Sequence, residues 1–172
     1  MGELTIRLAT EEDLPAINEI FNYYVARCTC TWQVEPHTPE KRAAWFAEHD
    51  VRHPVTVAER GGRVVGWGSL SGYRDPHGCR YTVENSVYVR SDAHGRGIGG
   101  ALLGDLVRRA KELGHHCIVA VISADQASSI SLHAKFGFVE MGRLREVGHK
   151  FGHWLDVVFM ERVLEPAVGS II

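Results

Sequence analysis

The sequence predicts an α/β (α+β) fold: one mostly antiparallel sheet with a central parallel pair of strands, and helices on both faces. Three observations carry this expectation. Strand-like and helix-like segments follow one another in the order β-α-α-β-β-β-α-β-α-β-β. "YTVENSVYV", a glycine-rich turn, an amphipathic stretch over residues 98 to about 113 and "CIVAVI" form a crossover unit, which implies two parallel strands. "PVTVAER" and "RVVGWGSLSGY" are joined by Gly61-Gly62, the signature of an antiparallel hairpin.

Each element has its own reason. "LTIRLA" alternates and reads as a first strand. Thr10 and Asp13 cap a helix through about Arg27, whose apolar stripe is Leu14, Ile17, Phe21 and Val25. "HTPEKRAAWFAEHD" starts a second helix, with Thr38 as cap and Pro39 in the first turn. The stretch from residue 98 to about 113 reads as a helix whose apolar face includes Leu102, Leu106, Ala110 and Leu113. "CIVAVI" is continuously apolar, so a strand buried on both faces is expected. A short helix over 126 to 136 and strands over 138–147 and 154–163 close the fold.

Composition excludes several classes. The 172 residues suit one domain, with a core over about 4–164 and a tail at 165–172. A net charge of −2 with no basic block gives nucleic-acid binding no electrostatic support. No apolar run approaches ~18 residues, so no membrane span is expected. "MGELTIRLAT" lacks the apolar core of a signal peptide, which points to the cytoplasm. The four cysteines, Cys28, Cys30, Cys79 and Cys117, match no zinc spacing and read as reduced, mostly buried thiols. "HH" at 115–116 reads as a polar helix end, and no metal is expected.

The stretch "AHGRGIGGALL", residues 93–103, joins a strand to a helix. Bare amides and the dipole at a helix N-terminus favour a phosphate, and glycines allow close approach. Arg96 adds a positive charge. The stretch therefore asks for a pyrophosphate. Gly95, Gly97 and Gly100 fit a dinucleotide spacing, but the unit comes late in the strand order; a Walker A lysine is absent. Glycine spacing alone leaves the ligand open, including a turn with no ligand.

"HGRGIG", residues 94–99, and "SLHAKFGF", residues 131–138, resemble motifs of the GCN5-related N-acetyltransferase (GNAT) superfamily. Its acetyl-CoA loop reads Q/R-x-x-G-x-G/A, with His94 here at the first position. Within it the chain is similar to the phosphinothricin and methionine sulfoximine N-acetyltransferase group. "IRLATEEDLPAINEIFNYYV", "EPHTPEKRAAWF", "VVGWGSLSGYR", "TVENSVYV" and "GHKFGHWLDV" are among the residues that carry this. Gln126 stands where asparagine is common, His149 where phenylalanine is common, and Trp32 where phenylalanine often sits.

The resemblance implies a GNAT fold and an acetyl-CoA-dependent transferase acting on the α-amine of a small amino acid analogue, with no metal. It also implies a homodimer. Gly95, Arg96, Gly97, Ile98, Gly99 and Gly100 would hold the pyrophosphate, with Gln126 also toward CoA. Backbone amides of Val87, Tyr88 and Val89 would polarise the thioester carbonyl. Glu84 would be the base, beside Asn85 and Ser86 on the acceptor side. A solvated strand residue is the plain alternative for it. His133 would protonate the leaving thiolate; the alternative is a helix histidine packed beside Phe136 and Phe138. The acceptor carboxylate wants an arginine. Arg74, with Asp75 and Pro76 in "GYRDP", matches the group's substrate segment, while Arg80 and Lys150 are weaker choices and each could be surface charge. Trp32, Tyr73 and Trp154 could wall the pocket or belong to the core. Rival readings are the same chemistry on a polyamine or protein N-terminus, or a CoA-binding sensor without turnover.

Overall fold

The computed structural model describes residues 2–75 and 77–165. Its elements are β1 (Leu4–Leu8), α1 (Leu14–Val25), α2 (Pro39–Ala47), β2 (Val55–Arg60), β3 (Arg63–Gly72), β4 (Thr82–Val89), α3 (Ile98–Glu112), β5 (Cys117–Ser123), α4 (Ala127–Lys135), β6 (Val139–Lys150) and β7 (His153–Val163). One seven-stranded sheet runs β1-β2-β3-β4-β5-β7-β6. Only β4 and β5 pair in parallel, and α3 is the crossover between them. The tail expected at 165–172 lies, beyond Glu165, outside the described residues.

Helices cover both faces. Ile17, Phe21 and Val25 of α1 pack on Val57 and Trp67, with α2 alongside. On the other face Leu103 and Leu106 of α3 meet Leu70, Val83, Ile118 and Met160, and α4 joins them. A single 3₁₀ turn at Glu11–Asp13 precedes α1. Asp13 anchors that junction: its carboxylate accepts from Thr10 N at 2.8 Å and from both Arg7 Nη atoms at 2.7 and 2.8 Å. In α2, Thr38 Oγ1 accepts from Lys41 N at 3.2 Å, as expected of a cap. Arg42 of α2 is buried, with its guanidinium 4.6 Å from the Phe21 ring centre and 4.5 Å from that of Trp45. Burial lowers its pKa to about 10, so it stays charged at neutral pH.

Four expectations change. The sixth strand does not stop at 147. A bulge between Leu144 and Gly148, with Glu146 at φ 52°, lets β6 continue to Lys150. A tight turn at Phe151-Gly152, both at positive φ, then starts β7. "CIVAVI" is not buried on both faces either, because Val121 is 40% exposed where its side of the sheet opens. The cysteines are all free and partly exposed, not mostly buried. His115 is buried, not a polar helix end, and its Nε2 meets Arg52 O at 2.8 Å. Among the described residues no helix is long and apolar enough to cross a membrane, and no group of three metal-ligating side chains forms.

The crossover helix presses hard on the sheet. A Cβ on Gly66 would sit 2.9 Å from Tyr88 O and 3.1 Å from Leu102 Cδ1; β3 must be bare there for α3 to dock. Gly66→Ala should therefore lower unfolding free energy by about 1–3 kcal/mol through overpacking. Gly142→Ala, whose Cβ meets nothing within 4 Å, should stay within about 0.5 kcal/mol. Urea midpoints of the two variants check the contrast.

Candidate active site

The parallel pairing of β4 and β5 covers only Thr82↔Cys117, Val83↔Ile118 and Glu84↔Val119. Beyond it the strands part. A cleft of about 530 Å³ opens between Glu84–Val89 on one side and Ala120–Ser123 on the other. Gly95, Gly97, Ile98 and Gly99 line one end, and Gln126 and His133 of the α4 region line another wall. Strand edges without ladder partners are costly to bury, so this gap is built to hold a ligand that supplies hydrogen bonds.

The glycine loop joins β4 to α3 with backbone open to that ligand. Gly95 and Gly97 sit at φ +73° and +77°, a region closed in practice to most side chains. Gly97 caps α3, and the first helical bond runs from Ala101 N to Gly97 O at 3.0 Å. The amides of Ile98, Gly99 and Gly100 are thus left without intrahelical partners, as a phosphate site requires. Arg96 is exposed at the mouth of this loop. Neither Arg96 nor Gly100 lines the cleft itself. His94 does not act as a bare substitute in a backbone loop. Its Nε2 meets the Tyr24 hydroxyl at 2.6 Å, and that hydroxyl donates to Val89 O. Tyr24 was missed in the sequence, where its helical spacing gave no sign that its hydroxyl tips reach β4.

Alternation along β4 sends Val83, Asn85 and Val87 toward α3 and α4, and Glu84, Ser86 and Tyr88 toward α1 and α2. All of residues 84–89 border the cleft. Burial raises the Glu84 pKa, so its carboxyl is a better proton acceptor than an exposed one. His133 approaches from the opposite face. It is buried, and burial lowers its pKa. Its Nδ1 lies 2.8 Å from Ser129 O, and a carbonyl only accepts, so Nδ1 carries the hydrogen. Its Nε2 then accepts from Asn85 Nδ2 at 2.9 Å. The ring also packs edge-on to Phe138, centroids 5.0 Å apart. Asn85 Oδ1 is buried with no protein partner among the described residues. This orphan acceptor, the unpaired edges and the amides of α3 together suit a ligand with a pyrophosphate and an amide-bearing arm, as CoA has.

The loop after α1 roofs the cleft and is clamped from several elements. Lys150 is buried, and its Nζ donates to Cys28 O at 2.6 Å and Thr31 O at 2.7 Å. Gln126 Nε2 donates to Thr29 Oγ1 at 2.9 Å. Trp32 Nε1 meets Ser123 Oγ at 3.4 Å, and its ring lies where a Cβ on Gly148 would be, 2.7 Å away. Lys150, Trp32 and Gln126 thus serve here to hold this roof.

Other expected substrate contacts fall outside the cleft. Arg74 is exposed, with its guanidinium 5.1 Å from the Tyr73 ring centre. Asp75 is exposed beside it, and Pro76 lies outside the described residues. Arg80 stacks on Tyr81, and Trp154 is 66% exposed with its ring 4.9 Å from His149. No arginine or lysine is among the described residues that line the cleft.

Comparison with known proteins fits this geometry. The model of the Acetyltransferase (GNAT) family matches residues 17–138. The chain is 43% identical to the L-methionine sulfoximine/L-methionine sulfone acetyltransferase of Pseudomonas paraeruginosa (strain DSM 24068 / PA7) over 94% of its length and 95% of that protein's. A crystal structure of ribosomal-protein-alanine N-acetyltransferase from Brucella melitensis superposes with a TM-score of 0.90 at 44% identity, covering 93% of this chain and 99% of that one. The phosphinothricin acetyltransferase of Sinorhizobium meliloti, solved with acetyl-CoA, superposes with a TM-score of 0.91 at 36% identity, covering 96% and 94%. With its parted parallel strands, its glycine-capped crossover helix and this likeness along nearly its whole length, the chain is an N-acetyltransferase and belongs to the acetyltransferase (GNAT) family.

Proposed function

We propose that the protein transfers acetyl from acetyl-CoA to the α-amine of a small amino acid analogue of the methionine sulfoximine, methionine sulfone or phosphinothricin kind. The observation that carries the reading is the cleft itself. It joins a pyrophosphate-type loop at one end to a half-buried carboxylate, Glu84, at the other. Acetyl-CoA, when bound, supplies the activated thioester carbonyl. Gly95, Gly97 and the amides that open α3 hold its pyrophosphate. Backbone amides of Val87 and Val89 face the free strand edge and favour negative charge on a carbonyl oxygen laid against them, whereas alternation turns the Tyr88 amide toward Trp67 of β3. Glu84 takes the proton of the acceptor amine, directly or through water. His133 gives a proton to the departing thiolate. Because its Nε2 is an acceptor for Asn85 in this arrangement, the ring must first gain a proton there.

A carboxylate on the acceptor needs a cation, and the cleft wall has none of its own. Arg74 stands in the loop between β3 and β4, just ahead of Glu84. We assign it the carboxylate, with Asp75 and Pro76 in the same segment and Asn85 and Ser86 on the strand as neighbours of the acceptor. We also propose a homodimer: the edge strand β6 leaves Val139, Met141, Leu144 and Val147 exposed, apolar surface that a second copy would cover.

Release of free thiol from acetyl-CoA tests the assignment across a panel of the three analogues, a polyamine and an alanine-headed peptide. Turnover should appear with the analogues; turnover confined to the polyamine or the peptide overturns the acceptor class. Glu84→Gln should cut kcat/KM, and the sign of its pH dependence is fixed. The ionised carboxylate is the working form, so wild-type activity falls as pH drops through the raised pKa of Glu84, while the variant loses that acid limb. A wild-type pH profile in the variant places the base elsewhere.

Arg74→Lys should raise KM for the amino acid, and Arg74→Ala should raise it further. Losing a charge-assisted bond of this type costs about 1.5–3 kcal/mol, roughly ten- to a hundredfold. Amidating the substrate carboxylate should then hurt the wild type far more than Arg74→Ala. Equal penalties in both proteins would remove Arg74 from the site.

A further inference from the structure

Two thiols on the roof of the cleft have no part in acetyl transfer as described. Cys28 and Cys30 flank Thr29 in the loop after α1, and both face the cleft. The backbone N–H of Cys30 donates to Cys28 Sγ at 3.2 Å. The buried Lys150 ammonium grips the same turn through Cys28 O and Thr31 O. The Cys28 thiol also points at Gln126 Oε1, 3.7 Å away, beside the cleft wall.

This setting makes the pair unequal. Hydrogen bonding from Cys30, by thiol and by amide, with the Lys150 charge in support, holds the Cys28 thiol well below the ordinary thiol range, against burial and the Asp125 carboxylate. Contact with Cys28 and burial push Cys30 the other way. Cys28, which receives the Cys30 N–H, is the more acidic of the two and the better placed to attack, and Cys30 lies two residues away to resolve. Cys79 and Cys117 are each partly exposed and neither lines the cleft.

We propose that Cys28 and Cys30 form a dithiol site that reacts with disulfides of low-molecular-weight thiols, Cys28 attacking and Cys30 resolving. The Cys28 thiolate forms a bond to one sulfur of the incoming disulfide and breaks its S–S bond, releasing one small thiolate. Cys30 loses its proton, attacks Cys28 Sγ and displaces the second small thiolate. Two cysteine thiols are oxidised to one disulfide, and the small disulfide is reduced to two thiols. The exchange itself does not depend on the acetyltransferase reading. Its consequence rests on the acetyltransferase reading: a Cys28–Cys30 bond draws in the roof that Lys150 and Gln126 hold, so acetyl transfer falls.

The test uses glutathione disulfide on the full-length reduced protein at pH 7, with free thiols then capped by N-ethylmaleimide and mapped by peptide mass. Wild type should lose two capped thiols, both at Cys28 and Cys30, faster than any loss at Cys79 or Cys117. Acetyl transfer should fall at least tenfold and return with dithiothreitol. Cys30→Ser should stop at a glutathione adduct on Cys28. Glutathione on Cys79 or Cys117 while Cys28 and Cys30 remain capped overturns the proposal, as does a Cys30 adduct formed at the wild-type rate in Cys28→Ser. Heat stabilisation of reduced wild type by acetyl-CoA reads the acetyltransferase assignment separately. If it is present while the pair stays inert, only the thiol proposal fails. If it is absent while the pair reacts, only the cofactor assignment fails.

Discussion

The structure turns on a ladder that stops. β4 and β5 pair for three residues, through Glu84↔Val119, and then part. A sheet does not give up backbone hydrogen bonds in its middle without some other satisfaction for those groups. Part of it is internal: Tyr24 reaches across to Val89 O, and His94 joins it. The rest is left for a ligand. Glu84 stands at that point of divergence, and in the proposed reaction the same interruption would set where the thioester arm lies. It also explains the bare Gly66 and Gly68 on β3, since α3 must press close to the sheet for its N-terminal amides to face the same gap.

A second constraint keeps the gap open to some degree and closed to some degree. The loop after α1 crosses above the cleft and is held by groups far away in sequence. Lys150 binds two of its carbonyls, Gln126 binds Thr29, and Trp32 lies flat on Gly148. A buried ammonium with carbonyl partners is costly to disturb, because removing it leaves those oxygens unpaired. The roof, the end of β6 and the N-terminus of α4 therefore form one mechanical unit. Chemistry at Cys28 acts on that unit directly.

Local features were legible in the sequence. The element order, the crossover unit and the parallel pair follow from periodicity and turn residues. The glycine that caps α3 follows from a short motif beside a strand end, whereas Glu84 was reached through resemblance. What stayed hidden depends on contacts across the chain. The bulge at Glu146 and the turn at Phe151-Gly152 carry β6 past its apparent end, and only that extension buries Lys150. Nothing near Lys150 in sequence announces Cys28 and Thr31 as its partners. Nothing near Tyr24 in sequence announces Val89 O as the partner of its hydroxyl. Asn85 and His133 read as separate site residues, whereas the structure ties them together, and Ser129 O fixes the tautomer of the ring. Arg74 was reached through resemblance, and in this structure it stands on the exposed loop ahead of Glu84, not in the cleft.

Amide hydrogen exchange tests the central claim, that the parted strands hold acetyl-CoA through their own backbone. Exchange is read residue by residue with and without saturating acetyl-CoA. The account predicts slowed exchange at amides within Asn85–Val89 that are free of the β3 ladder, together with Ile98, Gly99 and Gly100. Unchanged exchange at both segments, with protection elsewhere or nowhere, would contradict it.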